Sequence, residues 1–296
     1  MADVKIAGAP ISWGVCEVPN WGHQMTPDRV LTEMAELGLG ATEFGPLGFL
    51  PVEPADRAAA LAKHGMEAVG GFFPIVIHNP DFDPIPAVLE ELKSYAASGA
   101  KTLVLSAETG LEGYDTKRPD LDEAGWATVF KNLERIKDAA AAQGVTTVLH
   151  PHVGTMVETE ADVMQVLNGS TIKFCLDTGH MIIGGTDPVA FAKNHADRVA
   201  HSHLKDVNLA VADRVQSGEI TYYQGILEGM YVPLGTGDVD VRSIVRSLIQ
   251  ADYDGWFVLE QDNVINAEPG EGAGPFADAK ASVEFIRAVA AELAAE

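Results

Sequence analysis

Short apolar runs with the composition of β-strands recur along the chain. They are nearly continuous rather than alternating, which is typical of parallel strands that helices cover on both faces. Eight such runs are present, at residues 4–9, 41–45, 67–77, 101–106, 145–150, 171–177, 199–205 and 256–260.

Helical segments separate these runs. Ala-rich stretches carry apolar residues at spacings of three and four, so each of them predicts an amphipathic helix. Other helices are marked by a capping side chain, in two cases directly before a proline. The Ala-rich helices are predicted at 55–63, 86–98, 122–143 and 276–295, and the caps are Thr26 before Pro27, Asp187 before Pro188, and Asp238 for the helix that runs to Gln250.

Eight strand–helix repeats over 296 residues predict an α/β fold, a (β/α)8 TIM barrel, with a doubly wound open sheet as the alternative. No G-x-G-x-x-G follows the first run, which disfavours the dinucleotide-binding form of the open sheet. We expect one domain over residues 1–296, because no linker rich in Pro, Ser and Gly divides the chain. The aromatic segment 206–237 interrupts the repeat and is predicted to be an ordered loop over the barrel mouth.

Composition narrows the classes of partner. The chain has 20 Lys and Arg against 43 Asp and Glu, a net charge of −23, which disfavours nucleic acids and anionic membranes. The two cysteines, Cys16 and Cys175, lie outside any C-x-x-C motif and are predicted to be reduced thiols. No secretory signal or bilayer-spanning apolar run is apparent, so a cytoplasmic protein is expected.

Polar residues collect where the predicted strands end. Six of the nine histidines lie within or just after a run. The carboxyl ends of the strands form the active-site face of a (β/α)8 barrel, so these side chains are expected to meet at one mouth. In chain order they are Ser12, Trp13, Glu43, His78, Ser106, Glu108, His150, His152, Asp177, His180, His201, His203, Lys205, Asp206 and Glu260.

This concentration of ionisable groups predicts a bound metal ion. Burying several such groups together is unfavourable unless a partner compensates their charges, and a divalent cation does so. Imidazoles combined with carboxylates suit Mn2+, Co2+, Fe2+ or Zn2+ better than Ca2+ or Mg2+. The set contains no thiolate, which disfavours a structural zinc site.

Short motifs at these strand ends match those of a known superfamily. They are LDTGH at 176–180, HSHLKD at 201–206 and VLE at 258–260, on successive strands. With them the chain resembles the xylose isomerase-like barrels, a superfamily of sugar isomerases, epimerases and dehydratases. Over essentially its whole length it is similar to the inosose dehydratase branch, through APISWG at 9–14, ATEFG at 41–45 and HPHVGT at 150–155.

The resemblance implies a set of metal ligands. Members of the superfamily hold one divalent metal through a Glu on strand five, the Asp of DTGH, the second His of HxHLKD and a Glu on strand eight. Asp177, His203 and Glu260 match this pattern, whereas the position on strand five is His150. His150 is the expected fourth ligand and His152 is its alternative. Mn2+ or Co2+ is the expected metal, with Fe2+ and Zn2+ as alternatives.

The departure at His150 bears on the reaction. Ketose epimerases of the superfamily use two metal-bound glutamates to remove and return a proton. A β-elimination instead needs one base and one acid, and a histidine can fill either role. The substitution therefore favours dehydration over epimerisation. The resemblance implies that the substrate is a keto-inositol, 2-keto-myo-inositol, which is dehydrated to a cyclic dione. The alternatives are a ketose isomerase or epimerase, a 3-keto-glycoside-eliminating enzyme, an abasic-site endonuclease (which the acidic charge disfavours) and a metal-free binding protein.

The other side chains receive roles around the predicted metal. Trp13 is expected either to offer an apolar platform to a ring or to be a buried core indole. Arg214 is expected either to reach the substrate from the long loop or to be a solvated surface charge, and Asp206 to orient its neighbours. The expected partner is a small polyol or keto-sugar, and a homo-oligomer is left open. The candidate catalytic residues are Glu260, Lys205, His152 and Glu43, and the candidate substrate-binding residues are Trp13, His78, His180 and Arg214.

Overall fold

The computed structural model describes residues 4–111, 115 and 117–296. Parallel strands form a ring, and helices surround it. The strands are β1 Ile6–Gly8, β2 Ala41–Thr42, β3 Glu67–Ala68, β4 Gly70–Ile75, β5 Thr102–Ala107, β6 Thr146–Leu149, β7 Lys173–Asp177, β8 Val199–Leu204, β9 Asp206–Val207, β10 Tyr231–Val232 and β11 Phe257–Leu259.

The helices follow the strands in the order expected of a barrel. Short 3-10 helices lie at Pro10–Trp13 and Ala196–Arg198. The α-helices are α1 Pro27–Glu36, α2 Pro54–Lys63, α3 Ile85–Ser98, α4 Glu123–Ala141, α5 Glu160–Gly169, α6 Thr178–Ile183, α7 Pro188–Asn194, α8 Leu209–Gln216, α9 Tyr222–Leu227, α10 Val241–Gln250 and α11 Pro275–Ala295.

Two consecutive short strands close the ring. The sheet order is β3-β2-β1-β11-β8-β7-β6-β5-β4, so its two edge strands, β3 and β4, are neighbours in the chain and together form the third barrel strand. They are separated at Val69, next to Gly70. A Cβ atom on Gly70 would lie 1.8 Å from the carbonyl oxygen of Thr102 on β5, so only glycine allows this close approach.

The predicted fold is confirmed as a (β/α)8 barrel, because each of the eight apolar runs contains a barrel strand. The cap of α7 also forms, since Asp187 accepts from the N–H groups of Val189 and Ala190. The predicted cap of α10 is wrong. Asp240 caps this helix through the N–H of Ser243, whereas Asp238 accepts from the N–H of Leu209.

The segment 206–237 is more regular than the loop that was expected. It contains α8, α9 and a two-stranded antiparallel sheet of β9 and β10. Asp206 ties its two ends together, because its carboxylate accepts from the N–H groups of Gly235 at 2.8 Å and Gly237 at 2.9 Å. Helix α5 was not predicted, although Thr159 and Asp162 form a capping box at its start.

Over the residues that the structure describes, no helix combines the length and apolar character needed to cross a membrane. The description of residues 1–296 as one domain stays a prediction.

Candidate active site

Asp177 serves both the fold and the site. It ends β7, and its Oδ1 accepts from the N–H groups of Gly179 and His180 at the start of α6. This cap turns the other carboxylate oxygen, Oδ2, towards His150 at 3.1 Å and Lys205 at 3.2 Å. The carboxylate is fully buried, so its direction is set by the local turn from strand to helix.

His203 on β8 lies among three carboxylates. Its Nδ1 is 3.5 Å from Oδ2 of Asp177 and also contacts Oε2 of Glu260, which follows β11. Its Nε2 is 2.9 Å from Oε1 of Glu43, and Nε2 of His201 is 2.8 Å from the same oxygen. Glu43 therefore orients two histidine rings from the side opposite Asp177 and Glu260.

Three of these groups form a donor set for a divalent cation. Asp177, His203 and Glu260 each offer one ligand atom, and these atoms lie within 4.8 Å of one another. Nδ1 of His203 and Oε2 of Glu260 are buried and face each other, and neither atom makes a hydrogen bond of good geometry to the part of the chain that the structure describes. Once Nδ1 has lost its proton, these two atoms are acceptors that suit a cation between them. His150 joins Asp177 in a neighbouring group that also includes His180.

Lys205 is a buried cation beside this cluster. Its Nζ lies 3.2 Å from Asp177, 3.1 Å from Glu260 and 3.2 Å from Asp262. Although burial lowers its pKa, the carboxylates of Asp177, Asp262 and Glu260 raise the pKa of Lys205 well above the usual value. The ammonium group therefore keeps its proton and balances the charge of three acidic side chains.

The same contacts shift the pKa values of Asp177, Glu43 and His203. Burial raises the pKa of Asp177, but Lys205 and His180 outweigh it and hold that pKa well below the usual range. Burial likewise raises the pKa of Glu43, and His203 and His201 lower it strongly. Burial lowers the pKa of His203, whereas Glu260 and Glu43 raise it well above its usual value. A metal ion that binds Nδ1 must therefore displace a proton, so its affinity falls with falling pH.

Three histidines form a second group next to the metal-binding set. The rings of His152 and His180 stack at 3.7 Å, and the ring of His150 lies 5.3 Å from that of His152. Nδ1 of His152 is 2.7 Å from the carbonyl oxygen of Val153, which can only accept. The proton of the neutral His152 ring is therefore on Nδ1, and Nε2 carries a lone pair.

His152 makes the stability of the protein depend on pH. Burial, together with the neighbouring His150, lowers the pKa of His152 to about 3 from 6.5. The unfolded chain binds a proton at this residue below pH 6.5 whereas the folded chain does not, so stability is lost as pH falls from 6.5. We expect a contribution of about 1.4 kcal/mol per pH unit in that window. Urea unfolding at several pH values, compared with His152→Asn, measures it; parallel curves for both proteins would contradict the prediction.

A cavity of about 360 Å³ opens onto these groups. Its polar lining near the cluster combines acidic and imidazole side chains, and aromatic side chains supply apolar walls. Such a mixture of apolar surface and a few converging polar groups is typical of small-molecule sites. The polar lining residues near the cluster are Glu43, His150, His152, His180, Tyr222, Glu260 and Asp262, and the aromatic ones include Trp21, Phe44, Phe72 and Phe73.

Asp262 and Tyr222 are two of the lining residues that were missed from the sequence. Asp262 accepts a hydrogen bond of 2.7 Å from the hydroxyl of Tyr222, which α9 brings from the segment 206–237. Burial raises the pKa of Asp262 to about 6. A signal for Asp262 was present, because extended backbone places residues two apart on the same side and Asp262 is two residues after Glu260. Tyr222 carries no such signal, since its position depends on the fold of the whole segment.

Several predicted site residues lie outside the cavity lining. Trp13 is fully buried, and its Nε1 donates to Glu33 at 2.8 Å, so it is a core residue rather than a substrate platform. Arg214 pairs with Glu219 and Glu228 at the surface and does not reach the site. His78 lies after β4, with its Nδ1 buried. Lys205 lies behind the acidic groups, which argues against contact with a substrate.

Known proteins share this architecture. The sequence profile of the xylose isomerase-like TIM barrel family matches residues 31–289. The inosose dehydratase of Geobacillus kaustophilus is 31% identical over 95% of this chain and 93% of its own length. The rhizopine catabolism protein MocC of Rhizobium meliloti is 31% identical over 98% of this chain and 90% of its own.

Solved structures agree on the fold. A structure of the IOLI protein with a bound zinc atom has a TM-score of 0.72 at 13% identity, over 98% of this chain and 99% of the other. At that identity the likeness concerns the fold alone. The profile match and the relatives at 31% identity extend over nearly the whole sequence. The chain therefore belongs to the xylose isomerase-like TIM barrel family.

Proposed function

We propose that this protein is a metal-dependent hydro-lyase that dehydrates 2-keto-myo-inositol to a cyclohexane dione in inositol catabolism. One observation carries the proposal: Asp177, His203 and Glu260 bring their ligand atoms within 4.8 Å of one another, and Glu260 lines a cavity of about 360 Å³. The chain's relatives at 27–31% identity include inosose dehydratases, which supports this reaction over epimerisation. A cytoplasmic location and a homo-oligomer stay predictions.

The residues of the cluster fit a divalent metal. Asp177, His203 and Glu260 would hold it, with His150 as the fourth ligand because its Nε2 lies 3.1 Å from the Asp177 carboxylate. Burial lowers the pKa of His150, so its ring is neutral and able to bind a cation. When bound, the metal polarises the substrate carbonyl and stabilises negative charge on its oxygen. Mn2+ or Co2+ is proposed, with Fe2+ and Zn2+ as alternatives.

The protein must supply one base and one acid for the elimination. Glu260 lines the cavity as a carboxylate and is placed to remove the proton from the carbon beside the carbonyl. The electron pair of that C–H bond then forms the new double bond while the β-hydroxyl departs. Asp262 also lines the cavity, and its protonated form, which burial favours by raising the pKa to about 6, supplies the proton that converts the departing hydroxyl to water. Lys205 contacts both carboxyl groups and holds them in position.

The remaining polar lining orients the substrate. Nε2 of His152 is an acceptor for a substrate hydroxyl, because Nδ1 donates its proton to Val153. His180 is stacked on His152 and accepts from the N–H of Val153 through Nδ1, so the proton of its neutral ring is on Nε2. The stacked pair thus presents one acceptor and one donor, a match for neighbouring hydroxyl groups.

Turnover of 2-keto-myo-inositol tests the proposed function. We would remove metal by chelation, restore Mn2+ or Co2+, and follow dione absorbance in ordinary and deuterated water. The expected result is metal-dependent absorbance with net loss of one water. Deuterium incorporation without water loss would instead indicate an isomerase or epimerase. Absence of both reactions would contradict the proposal.

Glu43 is expected to act through His203 rather than on the substrate. Its carboxylate accepts from His203 and His201, so it sets the direction and basicity of a metal ligand. We expect Glu43→Gln to weaken metal binding about 10- to 100-fold. Titration with Mn2+ under competition from a chelator measures this change.

Glu33→Gln is the matched control for that variant. Glu33 is also a buried carboxylate, but its hydrogen-bond partners are Trp13 and Arg29, which do not belong to the cluster. We expect it to change thermal stability and to leave metal affinity as it is. Equal metal affinity in the wild type and Glu43→Gln would show that Glu43 has no part in positioning the ligand.

A further inference from the structure

The cavity has a second polar end that the proposed reaction does not use. Arg57 on α2 and Glu91 on α3 both line it. Arg57 is only 8% exposed, so its guanidinium group faces the cavity rather than bulk solvent. Its guanidinium carbon lies 4.8 Å above the ring of Phe44, the neighbour of Glu43. A continuous lining thus connects the metal-binding cluster to this arginine.

The charge of Arg57 has no ionic partner in the part of the chain that the structure describes. Its Nε donates to the carbonyl oxygen of Pro51 at 3.1 Å, and the described residues place no carboxylate oxygen within 4.0 Å of the guanidinium. The terminal Nη1 and Nη2 groups make no hydrogen bond to these residues either. These terminal nitrogens are not sealed inside the protein but open onto the cavity with their donors unused, and this arrangement suits an anionic ligand.

The surroundings limit the charge and shape of that ligand. Glu91 lies beyond ion-pair distance but shares the same end of the cavity, so it disfavours a dianion such as phosphate more than a monoanion. The walls beside Arg57 are apolar and include Pro46, Leu50 and Phe73. A cavity of about 360 Å³ falls within the range of pockets for small-molecule ligands.

We propose that Arg57 binds a carboxylate carried on a short arm by the cyclitol ring, so that the preferred substrate is a carboxylate-bearing keto-inositol. A guanidinium presents two parallel N–H groups that match one carboxylate. The ring then lies at the metal-binding cluster and the arm runs along Phe44 to Arg57. This inference rests on the proposed function for the ring and adds a substituent to it.

Binding of unreactive ligands tests the subsite apart from catalysis. We would titrate the Mn2+-loaded protein with mono-O-carboxymethyl and mono-O-methyl ethers of myo-inositol, which carry no ketone, and measure affinity by calorimetry. The wild type is expected to prefer the carboxymethyl ethers by about 10- to 100-fold, the range of a charge-assisted hydrogen bond. Arg57→Gln is expected to abolish that preference and Arg57→Lys to retain part of it.

Arg242→Gln is the matched control, because Arg242 also lies over a phenylalanine ring but pairs with Glu292 at the surface. It should bind both ethers as the wild type does. Equal affinity of the wild type for the two ethers would overturn the proposal without need of any variant. A preference that survives in Arg57→Gln would also overturn it, since the carboxylate would then bind elsewhere, for example at the metal.

The outcomes separate this inference from the proposed function. If the wild type prefers the carboxymethyl ethers but 2-keto-myo-inositol is not turned over, the subsite stands and the proposed reaction fails. If 2-keto-myo-inositol is dehydrated while the ethers bind equally, the reaction stands and the role of Arg57 fails.

Discussion

Replacing His203 by alanine is expected to remove the bound metal and to lower kcat/KM for dehydration by about 1,000-fold or more. His203 contributes Nδ1 to the same small volume as the oxygens of Asp177 and Glu260. Without it, two carboxylates and His150 remain beside the Lys205 ammonium group, which repels a cation, and metal binding weakens. Polarisation of the carbonyl by a metal supplies several kcal/mol to the transition state, and each 1.36 kcal/mol corresponds to about tenfold in rate.

Metal content and steady-state kinetics, measured on the same preparation, check this result. His23→Ala is the control, because His23 is a half-exposed histidine that pairs with Glu268. It is expected to keep both metal and activity. A His203→Ala protein that retains full metal content and a rate within tenfold of the wild type would rule out the proposed ligand set.

Replacing Lys205 by methionine is expected to lower the free energy of unfolding by about 3–5 kcal/mol in the absence of metal. The ammonium group is fully buried and lies within 3.2 Å of the carboxylates of Asp177, Glu260 and Asp262. Its removal leaves these acidic groups close together without their cation. Urea unfolding in the presence of a chelator measures the difference from the wild type.

Lys63→Met is the control for the loss of a lysine charge. Lys63 pairs with Asp28 at the surface, where both side chains are 69% exposed, so we expect almost no change in the free energy of unfolding. Adding Mn2+ should restore part of the stability of Lys205→Met, because a cation bound by Asp177 and Glu260 replaces the missing charge. A loss of stability no larger than that of Lys63→Met would contradict the assigned role of Lys205.

The barrel itself was predictable because its signals are local. Strands covered on both faces read as continuous apolar runs, and all eight runs contain barrel strands. The strand ends could also be recognised from the sequence as the site of the functional groups. In the structure His150, Asp177, His203 and Glu260 are indeed neighbours. These residues stand at chain positions where a buried strand stops, which makes them visible without any knowledge of packing.

The positions of other side chains could not be predicted from the sequence, because they depend on contacts between distant segments. Trp13 follows the first strand as expected, but its indole turns into the core towards Glu33. Arg214 lies in the segment 206–237, yet that segment folds so that Tyr222 rather than Arg214 enters the cavity. Glu43 faces two histidines more than 150 positions away in the chain. No pattern along the sequence indicates where these side chains point.

The sequence by itself determined the barrel, the identity of the groups at its mouth and the resemblance to a family, because periodicity and strand-end chemistry are properties of short segments. Only the tertiary structure decided which carboxylates surround His203, that Lys205 lies behind the cavity and that Arg57 lines its far end. Those facts depend on how strands and helices far apart in the chain are brought together in the ring.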